Sequence, residues 1–111
     1  NVGIRYSSFG KKKVSVRALL NYLGKKYYQS VYVEGGAQVH GFFYDSFLKD
    51  CELIDKVIFY IAPKIIGGED AKTAFGGAGV RKLADVLAFK NVAVERVGED
   101  VKVTAIANWY S

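Results

Sequence analysis

Between Ser30 and Phe47 the apolar residues change their period across a pair of glycines, and this change constrains the fold more than any other feature. Ser30 to Val33 is short and β-branched, Gly35 and Gly36 follow at once, and Val39, Phe42, Phe43 and Phe47 then recur at helical spacing. A run suited to a pleated surface that breaks at glycine and resumes at a 3.6-residue period predicts strand, tight turn and helix. Chains built from such units belong to the α/β class.

The remaining segments extend this reading. Val2 to Tyr6 suits a short strand, and a polar turn follows through Ser7 to Gly10. Ser15 is placed to cap a helix whose apolar stripe is Val16, Leu19, Leu20, Leu23 and Tyr27, with Arg17, Asn21 and Lys25 on its solvated face. Val57 to Ala62 is apolar at both parities, which predicts a central strand covered on both faces and ended by Pro63. Lys64 to Ala78 reads as a long glycine-rich excursion and Val80 to Leu87 as a helical turn or two. Val92, Val94 and then Val101, Val103 and Ala105 alternate on either side of Gly98, Glu99 and Asp100, the pattern of an antiparallel hairpin. The expected architecture is a mixed sheet flanked by helices and ending in that hairpin, in one domain or a piece of one.

Half of the 111 residues are hydrophobic, so a chain of this size can bury about two thirds of its unfolded surface. The longest apolar run, Val57 to Ala62, is far short of a membrane span, and no signal-type apolar core follows Lys11, Lys12 and Lys13. No membrane partner is expected. One Cys and one His supply neither a disulfide nor the three or four soft ligands of a zinc site, so no metal is expected, and Cys51 reads as a reduced residue of an intracellular protein. The charge of +5 is unevenly spread. Residues 1 to 40 hold seven Lys or Arg against one acid, Glu34, whereas residues 41 to 111 hold nine bases against ten acids. A phosphate-bearing partner is therefore drawn to the first third.

In Val31-Tyr32-Val33-Glu34-Gly35-Gly36-Ala37-Gln38, a strand passing through glycines into a helix leaves backbone N–H groups free at the helix start, where they can hold a phosphate. A side chain at Gly35 or Gly36 would keep a pyrophosphate from the backbone. The same pattern serves a tight βα turn with no ligand, and it lacks the GxGxxG spacing. Glu34, at the carboxyl end of the expected strand, either hydrogen-bonds a polar ligand or pairs with a nearby Lys. Gly76, Gly77, Ala78 and Gly79 match neither a P-loop nor a dinucleotide fingerprint and read as a flexible loop. His40 reads as a partly buried polar residue without chemistry. Lys11 to Lys13 with Tyr27, Tyr28 and Tyr32 resemble a basic and aromatic nucleic-acid surface only loosely, the tyrosines fitting a core and its rim, and no nucleic-acid partner is expected.

Three motifs, VYVEGGAQVHGFF, LIDKVIFYIAPKIIGG and VERVGEDVKVTA, occur in one order over about Val14 to Ala105 and closely resemble the C-terminal part of the riboflavin-biosynthesis reductase. In most bacteria that reductase is fused behind a zinc deaminase. The resemblance implies a dihydrofolate-reductase-like α/β fold and an NADPH-dependent reduction that opens the ribose of 5-amino-6-(5-phosphoribosylamino)uracil to a ribityl chain. It places Glu34 against the substrate and Gly35, Gly36, Ala37, Gln38, Val39, His40, Gly41 and Phe42 in the cofactor segment, while PKIIGG and VGED look structural. It further implies a cytoplasmic homodimer acting on a small pyrimidine ribose phosphate.

The chain departs from that family in length. A reductase domain of this kind runs well beyond 111 residues, so residues 1–111 are expected to be its C-terminal part. The first strands, much of the substrate pocket and any deaminase domain are expected to lie outside it, and the chain alone to be inactive. The deaminase signatures H-x-E and P-C-x-x-C are not found. Tyr44 to Leu53 is longer than the family's usual connection. A noncatalytic homo-oligomerisation fragment of the same reductase is the alternative expectation, and a nucleic-acid binder using the basic third is the other.

Overall fold

A computed structural model describes residues 15–49 and 53–108. The expected strand at Val2 to Tyr6, the turn after it, the Lys11 to Lys13 cluster and Cys51 lie outside the described residues. The chain divides between Val33 and Glu34 into two compact units.

In the first unit, α1 spans Val16–Lys25, and Ser15 caps it as expected, its Oγ accepting from the Ala18 amide at 3.2 Å. Val16 is buried and Leu19, Leu20 and Leu23 are half-buried, so the apolar stripe is real up to the last turn. Tyr27 does not continue it. The helix ends at Lys25, the Tyr28 amide donates back to the Leu23 carbonyl at 3.1 Å, and the Tyr27 amide donates to Gly24 at 3.0 Å. These two crossed bonds form a Schellman motif, which needs a left-handed residue after the cap. Tyr27 is that residue, at φ 66°, and it is 91% exposed. Tyr28 and Tyr32 are also exposed, which corrects the expectation that the tyrosines belong to a core and its rim. The strand expected at Ser30 to Val33 does not form: the segment pairs with no described strand, and all but Val33 of its residues lie open to solvent.

In the second unit, α2 spans Ala37–Lys49, and three strands follow: β1 (Lys56–Ile61), β2 (Phe89–Val97) and β3 (Asp100–Ala107). The sheet order is β1-β3-β2 and both pairs are antiparallel. β1 is therefore an edge strand among the described residues, not the central strand expected from its composition. Val57 is buried, whereas Tyr60 and Ile61 are exposed. β2 and β3 are joined as expected through Gly98 and Glu99. Gly98 has φ 61° and Glu99 does not, which is the type II′ requirement for glycine at the first turn position. A bulge interrupts β2 between Lys90 and Ala93, and Asn91, at φ 52°, takes the left-handed conformation there that Asn tolerates.

Register places Val57 and Phe59 of β1, Val103, Ala105 and Ala107 of β3, and Phe89 of β2 on one face. Ala105 and Ala107 are buried, and Val57, Phe59 and Phe89 share a cavity of about 180 Å³ with Tyr44 of α2 and with Phe75 and Leu87 from the connection between β1 and β2. The core of this unit thus lies between α2 and that face. The long excursion from Lys64 is borne out, and the helical turn expected near Val80 to Leu87 appears as a short 3-10 turn at Leu83–Asp85.

Candidate functional site at the start of α2

The glycine pair stands at the start of α2 as expected, although no strand leads into it. The Gly36 carbonyl accepts the first helical bond, from the His40 amide at 3.1 Å, which makes Gly36 the residue capping the helix. Glycine has no side chain with which to cap. The amides of Ala37, Gln38 and Val39 accordingly find no acceptor among the described residues, and the first turn of α2 carries no acid to neutralise the positive end of its dipole. Glu34, Gly35, Gly36, Gln38 and Val39 are exposed, and Ala37 is half-buried.

The two glycines serve different needs. A Cβ on Gly35 would stand 3.0 Å from Cβ and 3.1 Å from Cγ2 of Val39, so Gly35 admits the close approach of the helix's own first turn. A Cβ on Gly36 would meet nothing within 4 Å. No packing among the described residues explains the glycine there. Unpaired amides at a helix start attract anionic groups.

The later residues of the expected cofactor segment turn elsewhere. Gly41 is buried, and a Cβ on it would lie 2.3 Å from the carbonyl carbon of Gly76. The backbone of residues 74–79 lies directly on the helix at this point. The His40 ring takes part as well: Nδ1 is 3.1 Å from the Ala74 carbonyl, and since a carbonyl only accepts, Nδ1 carries the proton. Phe75 packs between the two layers, with ring centroids 5.5 Å from His40, 5.9 Å from Tyr44 and 6.0 Å from Phe59. Phe42 is half-buried and stacks edge-on with Phe43.

Asp45 was not among the residues singled out in the sequence, yet it organises this side of the helix. Its Oδ2 accepts from the Ala78 amide at 2.8 Å and its Oδ1 from the Gly79 amide at 3.0 Å. Gly77 and Gly79 take positive φ, 77° and 65°, to present those consecutive amides. The loop at Gly76 to Gly79 is therefore docked, where the sequence suggested a flexible loop. No signal in the sequence pointed to it, because Asp45 and the amides that it accepts from lie 33 and 34 residues apart.

With α2 on one face of an antiparallel sheet that ends in a tight hairpin, the second unit is an α/β arrangement of the dihydrofolate-reductase-like kind. The chain belongs to the RibD C-terminal domain family, whose model matches residues 3–103. It is 35% identical over 105 residues to the riboflavin biosynthesis protein RibD of Bacillus amyloliquefaciens, an alignment that covers 95% of this chain and 27% of that protein. It is 34% identical over 92 residues to a 5-amino-6-(5-phosphoribosylamino)uracil reductase of Buchnera aphidicola, covering 83% of this chain and 42% of that protein. Among solved structures, Acinetobacter baumannii RibD superposes with a TM-score of 0.66 at 32% identity, over 82% of this chain and 24% of that one. The matches thus span between about a quarter and about two fifths of the length of these relatives.

Proposed function

We propose that this chain supplies the coenzyme-binding turn of a reductase that uses NADPH to convert the ribose of 5-amino-6-(5-phosphoribosylamino)uracil to its ribityl form. The supporting observation is the uncapped first turn of α2, whose three amides find no acceptor among the described residues, next to a Gly36 with nothing within 4 Å of an added Cβ. The amides of Ala37, Gln38 and Val39 bind the coenzyme's diphosphate, and the dipole of α2 favours its charge. When bound, the coenzyme supplies the hydride. Glu34, exposed just before the turn, hydrogen-bonds the substrate, and the protein's part in the transfer is placement. Residues 1–111 form the C-terminal part of one reductase domain, which works in the cytoplasm as a homodimer and needs the rest of its domain for activity.

The test is Gly36→Val in the full-length protein. A Cβ added at Gly36 has nothing within 4 Å, so the variant is expected to fold while its side chain crowds the diphosphate. The Michaelis constant for NADPH is expected to rise steeply, and an unchanged constant in a folded variant would defeat the assignment. One observation favours the noncatalytic reading: Ile61, Val94 and Val101 form an exposed apolar patch across three adjacent strands, a surface that a second copy could cover. A self-associating protein that shows no coenzyme binding would establish that reading instead.

A further inference from the structure

The first turn of α2 is held from behind. The Gly76 amide donates to the carbonyl of Ala37, the first residue of the helix, at 2.8 Å. Two turns further along, Asp45 takes the Ala78 and Gly79 amides on its two carboxylate oxygens. Between these fastenings Gly41 lets the loop backbone occupy the place of a side chain. Consecutive amides arranged by left-handed glycines form a concavity that binds anions. Here the anion is the protein's own Asp45, and a side chain on Gly77 would fall 2.5 Å from its Oδ2. Residues 74–79 are thus a strap, fixed at one end to the Asp45 carboxylate and at the other to Ala37, the first residue of the helix.

We propose that Asp45 is a positioning residue for the coenzyme: by anchoring the strap, it fixes the pose of the α2 first turn in which the amides of Ala37 to Val39 converge on the diphosphate. This rests on the coenzyme reading given above. The strap touches α2 along Ala37, His40, Gly41 and Asp45, while Gly36, Gln38 and Val39 remain open to solvent, so it steadies the turn without blocking it. A donor set held in place before the ligand arrives loses less freedom on binding.

The experiment uses the full-length protein with NADPH as the probe. Asp45→Asn keeps the side chain's shape but turns one acceptor into a donor that faces an amide. The Ala78 and Gly79 amides are expected to lose protection from hydrogen exchange. The dissociation constant for NADPH is expected to rise by about 3- to 10-fold, the scale on which residues remote from a ligand tune its affinity. Turnover at saturating NADPH and the Michaelis constant for the pyrimidine substrate should stay near those of the parent. Gly41→Ala, which displaces the strap without altering the carboxylate, should act in the same direction, and Asp45→Glu should restore part of the affinity.

Faster exchange of the strap amides with an unchanged NADPH constant would overturn the proposal, leaving the strap a packing element only. Strap amides that remain protected in Asp45→Asn would overturn it too. Gly36→Val separates the two levels. If it weakens NADPH binding while Asp45→Asn does not, the cradle stands and the positioning role fails. If folded Gly36→Val binds NADPH normally, the cradle fails and the positioning role falls with it.

Discussion

Replacing Gly41 by Ala is normally a favourable change within a helix, because alanine gains about 1 kcal/mol of helix propensity over glycine. In this protein the sign should reverse. The new methyl carbon would lie 2.3 Å from the Gly76 carbonyl carbon, 2.6 Å from its oxygen and 2.6 Å from the Gly77 nitrogen. Carbon atoms pack at roughly 3.5–4.0 Å, so the strap must retreat by more than about 1 Å. That movement breaks the 2.8 Å bond from Gly76 to Ala37 and strains both bonds to Asp45. A neutral hydrogen bond contributes about 0.5–1.5 kcal/mol and overpacking typically costs about 1–3 kcal/mol. After the propensity gain, a net loss of about 1–3 kcal/mol remains, or roughly 5–20 °C in Tm at about 4–8 °C per kcal/mol. Gly24→Ala is the internal control: it lies in α1 with nothing within 4 Å of its added carbon, so the same substitution should stabilise by about 0.5–1 kcal/mol. Thermal melting followed by circular dichroism reads both variants. A Gly41→Ala protein that melts at or above the parent's temperature would refute the close approach of strap and helix.

Tyr27→Gly should raise stability by about 0.5–1 kcal/mol in urea titration, because a left-handed L-residue costs about 1–2 kcal/mol, part of which is offset by glycine's backbone entropy, and the exposed ring packs on little. Unchanged or lower stability would count against the Schellman turn. Phe75→Ala removes three ring contacts at a half-buried position and should destabilise by about 2–3 kcal/mol; a loss below about 0.5 kcal/mol, the scale of ordinary surface changes, would mean that Phe75 does not join α2 to the sheet. Glu34→Gln should leave NADPH affinity intact while weakening substrate binding or turnover, and equal loss of both ligands would make Glu34 a structural residue.

What could be read from the sequence was what local chemistry decides. Ser15 before an apolar stripe marked α1, the Gly35–Gly36 pair marked the start of α2, and Gly98 between two alternating runs marked the hairpin. Each depends on a few neighbouring residues whose backbone preference is strong. Val57 to Ala62 misled because a continuous apolar run cannot reveal how many faces are covered: β1 has one described neighbour, β3, and exposes Tyr60 and Ile61. Ser30 to Val33 misled because β-branched residues favour a strand only where another strand accepts its hydrogen bonds. The strap was hidden for a different reason. Asp45 and Gly79 are 34 residues apart, and nothing in either segment alone announces that one's carboxylate is the acceptor for the other's amides. The candidate site was legible as a turn, but the division of labour within it was not. Gly35 serves helix packing, Gly36 leaves open space and Gly41 admits the strap, although all three look alike in the sequence.

The central claim concerns where the coenzyme's diphosphate sits, and a crystal structure of the full-length protein with bound NADPH tests it directly. The account predicts diphosphate oxygens at about 2.7–3.2 Å from amide nitrogens of Ala37, Gln38 and Val39, beside Gly36. A fully occupied coenzyme whose diphosphate lies against another part of the protein, with those three amides facing only solvent, would contradict it.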